Sequence, residues 1–311
     1  RVALSSVWRP PGCLEGLHRT AVANIRANRR ATSHVDRQMK HLRRQPHQPP
    51  MRRSPGLPDS PSGGNHFPER PMTMLGVWAH PDDESYLSAV LMSRVVKVGG
   101  RVVVATATRG EGGGAGDPEA LAEIRERELR AAMACLCVRD VRFLGYADGQ
   151  CADVDAEEAI CSIIALIKEI DPDIIVTFDP DGMTGHPDHI AVSGWVTAAA
   201  AEVSHEGLIY ATMTDGCAER NESLHARLGI WMGDEPRTVP HEDLALYVVP
   251  TPRERELKNR ALRAHASQVS RLVELIGAEA FEEWCANEHF RRPTFDEWFA
   301  DPRLEASRFA V

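Results

Sequence analysis

Two short clusters of ionisable residues in this 311-residue chain could do chemistry. His80, Asp82, Asp83 and Glu84 stand together around Pro81, and His186, Asp188 and His189 repeat the type around Pro187. Imidazole and carboxylate gathered on a rigid turn can grip a divalent cation, since each supplies a lone pair without redox chemistry. One His-Pro-Asp tripeptide alone is more often structural than a ligand set. The pairing carries the weight, because a catalytic zinc takes three protein ligands and keeps one position open for water. Two clusters of this kind suggest one site built from both.

The elements around them fit that reading. Met74–Ala79 is an apolar run that stops at His80-Pro81, as a buried parallel strand delivering side chains to its C-terminal tip would. Pro81 lacks an N–H and ends the ladder. Leu87, Val90, Leu91 and Val95 have helical spacing over 85–96, and Gly99-Gly100 closes that helix. A second strand (101–107), a helix capped by Asp117 with Pro118 at its first position, and a short strand (141–144) follow. Asp155 to Glu158 reads as a capping box for a helix to Ile170, before a fourth strand (173–178) whose tip loop carries the second cluster. A helix (189–203) and a strand (207–211) complete five alternations. The predicted fold is α/β: a doubly wound, mostly parallel, Rossmann-like sheet with helices on both faces. Residues 212–243 read as an irregular lid or substrate loop. Thr251-Pro252-Arg253-Glu254 is a capping box, and the aromatic-rich end of the chain predicts a helical cap.

Composition is that of an ordinary soluble protein, 43% hydrophobic and 26% charged, with no apolar run long enough to span a bilayer. The net charge of −9 is uneven: residues 1–71 carry 13 Lys/Arg against 4 Asp/Glu, the remainder 23 against 41. The folded part should therefore repel nucleic acid. Residues 1–71 hold 10 of the 21 prolines and no sustained hydrophobic period, so they read as a disordered basic leader, or as sequence outside the working protein. A basic arm for acidic surfaces is the alternative. Seven cysteines with no CxxC spacing point to a reducing, cytoplasmic setting without a disulfide framework. The sequence leaves oligomeric state unknown.

Gly110, Gly112 and Ala115 also fit the G-x-G-x-x-A fingerprint of a dinucleotide site. Glu111 would place a negative charge against the pyrophosphate, and the loop follows the second strand rather than the first. A flexible rim around a metal site is the preferred reading. Ala79-His80-Pro81-Asp82-Asp83-Glu84 and Gly185-His186-Pro187-Asp188-His189, taken together, resemble the LmbE/PIG-L-type zinc-dependent N-acetylglucosaminyl deacetylases. Thr106-x-Thr108-x-Gly110-Glu111-x-Gly113, Arg125-x-Arg127-Glu128-Leu129, Phe143-Leu144-Gly145-Tyr146-x-Asp148-Gly149 and Ala264-His265-Ala266-Ser267-Gln268 are similar to further family segments, so the likeness covers roughly residues 74–270.

The resemblance implies that His80, Asp83 and His189 hold Zn2+ (or Fe2+ or another divalent metal), and that Asp82 is the general base. It implies that His186, oriented by Asp188, stabilises the oxyanion. Zinc lowers the pKa of its bound water to about 7, so a nearby carboxylate can take the proton during attack on an amide. The expected reaction removes an N-acetyl or other N-acyl group from a small amino-sugar conjugate such as one of GlcNAc, within a domain covering residues 72–311. Rivals are an amidase for a larger sugar-thiol conjugate and a non-catalytic, metal-dependent sugar-binding protein; the presence of Asp82, unneeded as a ligand, argues against the latter. Glu84 could equally cap the following helix. Some sugar-thiol members carry tyrosine where this chain has Thr184, which removes a phenol from the oxyanion's surroundings.

Overall fold

The computed structural model describes residues 70–233 and 237–298. The leader expected over residues 1–71 lies, up to residue 69, outside them.

Strand β1 (Thr73–Trp78) is buried from Met74 onward and lies in the middle of the sheet's five parallel strands. It pairs in parallel with β2 (Arg101–Thr106) on one side and β4 (Ile174–Phe178) on the other, with Leu75 opposite Val103 and Ile175. Strand β3 (Asp140–Phe143) lies outside β2, and β5 (Leu208–Ala211) outside β4, both parallel. The chain builds outward from β1 to β3, then returns to the other flank of β1. The order reverses between β1 and β4, and their two C-terminal tips open the crevice where open α/β sheets bind ligands. One cluster follows each of these strands, so topology alone brings them together.

Helices α1 (Asp83–Lys97), α2 (Pro118–Cys135), α3 (Ala156–Ile170) and α4 (Pro187–Glu202) are the crossovers. Asp117 caps α2 by accepting the Glu119 amide. Asp155 caps α3 through the Glu157 amide, one residue earlier than the expected capping box places it. The continuous apolar strands bury Leu75, Val77, Val103, Val104, Ile175 and Val176 completely.

Two expectations need correction. Residues 212–243 are not wholly irregular: β6 (Met213–Thr214) leads into the fourteen-residue α5 (Asp215–Leu228), and β7 (Thr238–Val239) pairs with β6. Thr214 caps α5 through the Cys217 amide and Gly229 ends it in the left-handed region. Only His225 of α5 is fully buried, so the helix has no apolar stripe to betray it. The C-terminal portion is also more than a helical cap. After α6 (Pro252–Ala264), α7 (Ala266–Ile276) and α8 (Ala278–Trp284), the chain adds β9 (Glu288–Arg291) beside β5, with β8 (Leu246–Val248) outside it, both pairings antiparallel. The expected Thr251–Glu254 capping box is present on α6, and a short α9 (Phe295–Trp298) follows β9.

Strand β9 is spliced into α1. The Glu288 carboxylate accepts the Val90 and Leu91 amides (2.8 and 2.9 Å), in the middle of that helix. Lys258 Nζ bonds the same carboxylate (2.8 Å) and the Tyr86 carbonyl (2.7 Å).

Candidate active site

Asp82 opens α1 with φ 128° and ψ −28°, a conformation that costs an L-residue energy and persists only where neighbours over-determine it. Its amide donates to Glu84 Oε2 (3.0 Å), and its carboxylate faces Arg125 Nη2 at 3.4 Å. Glu84 is completely buried, and its Oε1 accepts from Ser85 Oγ (2.6 Å) and His265 Nε2 (3.0 Å). Thus Glu84 caps the Asp82 turn and lies behind the cavity rather than in it. Arg125, projecting from α2, also donates to the Pro81 carbonyl (2.6 Å) and the Gly110 carbonyl (2.9 Å). Burial raises Asp82 to about 7, against the pull of the Arg125 charge.

His80, Asp83 and His189 converge. His80 Nδ1 lies 3.1 Å from His189 Nε2, and Asp83 oxygens lie 3.7 Å from the former and 3.4 Å from the latter. The other ring nitrogens fix the tautomers. His189 Nδ1 donates to the Gly182 carbonyl (2.9 Å), while Phe178 stacks on its ring at 4.2 Å. His80 Nε2 sits between Asp148 Oδ1 (3.0 Å) and Asp188 Oδ2 (3.1 Å), and so carries its proton there. Each imidazole therefore turns a lone pair toward the other and toward a carboxylate. Two facing lone pairs repel unless a proton or a cation lies between them, so this donor set fits a divalent ion. His80, His186 and His189 also lie close enough to share an ion, as do His80, Asp148 and Asp188. Without a cation, burial pulls His80 down, but the bonds to Asp148 and Asp188 outweigh it and raise it to about 10. Burial, then the His80 charge, drives His189 down to about 3.

The second cluster departs from expectation in one bond. Asp188 is fully buried, but its carboxylate goes to His80 Nε2 and to the Gly149 and Cys151 amides (2.7 and 3.0 Å), not to His186. Its link to His186 is the Asp188 amide, which donates to His186 Nδ1 (3.1 Å) as His186 caps α4. An imidazole accepting at Nδ1 carries its proton on Nε2. Thr184 Oγ1 lies 3.5 Å from His189 Nδ1, at the limit of a hydrogen bond.

Asp148 and Arg125 were not predicted as site residues, although both fall in the segments that carry the resemblance. Asp148 is held by the Gly112 amide (2.8 Å) on its carboxylate, while its own amide donates to Glu111 Oε1 (2.9 Å). The glycine loop thus borders the cavity, with Gly112 and Gly113 in its lining and Gly112 bonded to the Asp148 that faces His80. Gly110 has φ 71°, and a Cβ there or at Gly113 would collide with the Arg125 guanidinium.

These residues form one end of a cavity of about 830 Å³ that extends to α5 and to Trp231 and Trp284. Among the described residues no helix is long and apolar enough to cross a membrane.

A family model described as PIG-L: GlcNAc-PI de-N-acetylase matches residues 75–200. A 1D-myo-inositol 2-acetamido-2-deoxy-alpha-D-glucopyranoside deacetylase from Actinosynnema mirum is 35% identical over 237 residues, covering 64% of this chain and 82% of that protein. One of the same description from Kineococcus radiotolerans is 38% identical over 156 residues, covering 40% of this chain and 43% of the relative. The alignment spans about half the length of several such relatives. Among solved structures, the N,N'-diacetylchitobiose deacetylase of Pyrococcus horikoshii shares the fold with a TM-score of 0.52, at 19% identity over 76% of this chain and 88% of that one.

Proposed function

Because the chain belongs to the PIG-L (GlcNAc-PI de-N-acetylase) family, we propose that it is a metal-dependent hydrolase that removes the N-acetyl group from a GlcNAc-type amino-sugar conjugate. The proposed working unit is residues 72–311. His80 Nδ1, His189 Nε2 and an Asp83 oxygen hold the metal, with zinc the proposed ion and iron(II) an alternative for the same donors. When bound, the ion would acidify water and polarise the amide carbonyl.

The chain's own residues supply the rest. Asp82, which is not needed as a ligand, takes the proton from the attacking water, and Asp82 or His186 supplies a proton to the sugar amine as the C–N bond breaks. His186, its Nδ1 occupied by the Asp188 amide, offers its Nε2–H to the oxygen on which charge develops. Asp148 and Asp188 keep the His80 proton on Nε2, so that Nδ1 stays available as a donor.

The observation that carries this reading is the convergence of two tautomerically fixed lone pairs and Asp83 next to Asp82, whose carboxylate faces Arg125 and is not needed as a ligand. Metal analysis joined to amine release from N-acetyl amino sugars tests it. Asp82→Ala should retain the metal and lose about 10²–10⁴-fold in kcat, the usual worth of a general base. Wild-type turnover in that variant would remove Asp82 from its role, and metal loss would make it a ligand.

A further inference from the structure

The cavity has two chemically different ends. One is the donor cluster with Asp82, His186 and Arg125; the other is walled by Tyr86, Leu87, Ile230, Trp231, Leu272 and Trp284, all half-buried. These six come from α1, α7, α8 and the segment after α5. His225 locks two of them in place: Trp284 Nε1 donates to His225 Nε2 (3.0 Å), and the Trp231 ring meets His225 edge-on at 4.7 Å. Tyr86 continues the arc, 6.1 Å from Trp284 between ring centres.

Some polar atoms near this wall already have partners, while Arg220, Gln268, Glu283 and Asn287 also line the cavity. The Trp284 N–H is taken by His225, and Asn221, which also lines the cavity, donates to the Cys217 carbonyl (2.9 Å). The six wall residues themselves present mainly ring face and aliphatic carbon. A polyol seated flat against them would lose water from the hydroxyls turned to the rings, whereas an aryl or alkyl group would lose nothing. At about 830 Å³ the cavity lies in the upper part of the range that takes drug-sized ligands, so a single acetamido sugar leaves much of it unfilled.

The geometry points to a substrate whose amino sugar carries an apolar, aryl or alkyl, aglycone seated between Trp231, Trp284 and Tyr86. This rests on the deacetylase reading: if the departing acyl group has only two carbons, the remaining apolar volume belongs to the glycosyl side. Trp231, Ile230 and Leu272 then set specificity without touching the reacting atoms.

The test compares kcat/KM for amine release from an aryl N-acetylglucosaminide, an inositol N-acetylglucosaminide, N,N'-diacetylchitobiose and a methyl glucosaminide bearing an N-hexanoyl group. The aryl glycoside should exceed the inositol conjugate and the disaccharide by about tenfold or more, as one stacked, desolvated ring provides. Trp231→Ala should collapse that ratio toward one and Trp231→Phe should keep most of it, with circular dichroism confirming that both fold. Equal rates for the aryl, polyol and disaccharide substrates would overturn the proposal. So would preference for the N-hexanoyl substrate, which would assign the wall to the acyl group. If no acetamido sugar is turned over, the deacetylase reading fails by itself. The wall is then judged by titrating tryptophan fluorescence with an aryl glucosaminide: saturable quenching lost in Trp231→Ala supports the subsite, and no saturation overturns it.

Discussion

At the scale of the residue, Asp82 is the most constrained position in the site. Its φ of 128° is held by an amide bond to Glu84, and Glu84 is held in turn by Ser85 and His265. Burial alone would raise Glu84, but the His265 charge and these hydrogen bonds outweigh it and hold its carboxyl below the usual range. Glu84→Ala should therefore leave the strained Asp82 amide without its carboxylate partner and the buried His265 with only Ser85 Oγ at 3.2 Å. The expected loss is about 3–5 kcal/mol, the cost of breaking a buried pair from one side. Urea unfolding measures it, and a loss under about 1 kcal/mol would mean that Glu84 is not the brace of this turn. His80, Asp83 and His189 could be picked out in the sequence because each cluster is contiguous and follows a predicted strand. Asp148 was not, because one aspartate in a glycine-rich loop has no local signature; its role depends on a ring nitrogen delivered by another strand. Arg125 looked like any charged residue of an amphipathic helix.

At the scale of the element, the glycine loop holds the site from above. Gly110 combines a positive φ with direct contact to Arg125, and Arg125 bonds both this loop and the Asp82 turn. Gly110→Ala should cost about 2–3 kcal/mol, part backbone strain and part displacement of the guanidinium, and should lower kcat more than it raises KM. Thermal unfolding with steady-state kinetics checks both; an unchanged midpoint would mean the loop adapts freely. The loop's rim role was readable from Glu111, whose charge argues against a phosphate. Helix α5 was not readable. Its polar surface lacks the 3.6-residue apolar period, and it is fixed instead by a threonine cap, a glycine stop and the single buried His225. Strand β9 was missed for a related reason: Glu288-His289-Phe290-Arg291 looks exposed, yet its charges are paired with residues far away in sequence.

At the scale of the whole molecule, the alternation of strand and helix was enough to read the parallel half of the sheet and to place both clusters at neighbouring tips. The antiparallel extension depends on buried ion pairs that no local pattern reports. Arg291 of β9 bonds Asp179 at the tip of β4 through two nitrogens (2.6 and 2.7 Å) and Glu297 of α9 through two more contacts (2.7 and 2.8 Å). Burial would raise Glu297, but Arg291 and the Thr294 amide dominate and hold it at about 2, below its ordinary 4.5. A depressed carboxylate contributes stability that is present above the unfolded value and lost as pH falls toward the folded one. Between about pH 5 and pH 2 the denaturant midpoint should thus fall more steeply for the wild type than for Glu297→Gln. Parallel slopes would show that the pair contributes nothing to acid stability.

The insertion of Glu288 into α1 ties the order of assembly to the chemistry. In the helix that begins at Asp83, the Val90 and Leu91 amides donate to a carboxylate almost two hundred positions later. Until β9 docks, the middle of α1 lacks this carboxylate and Lys258 lacks its partner in the same helix's neighbourhood. On the proposed function, a segment that stops before Glu288 would contain His80, Asp83 and His189 and yet leave α1 without this brace, so its turnover is expected to fall with its fold.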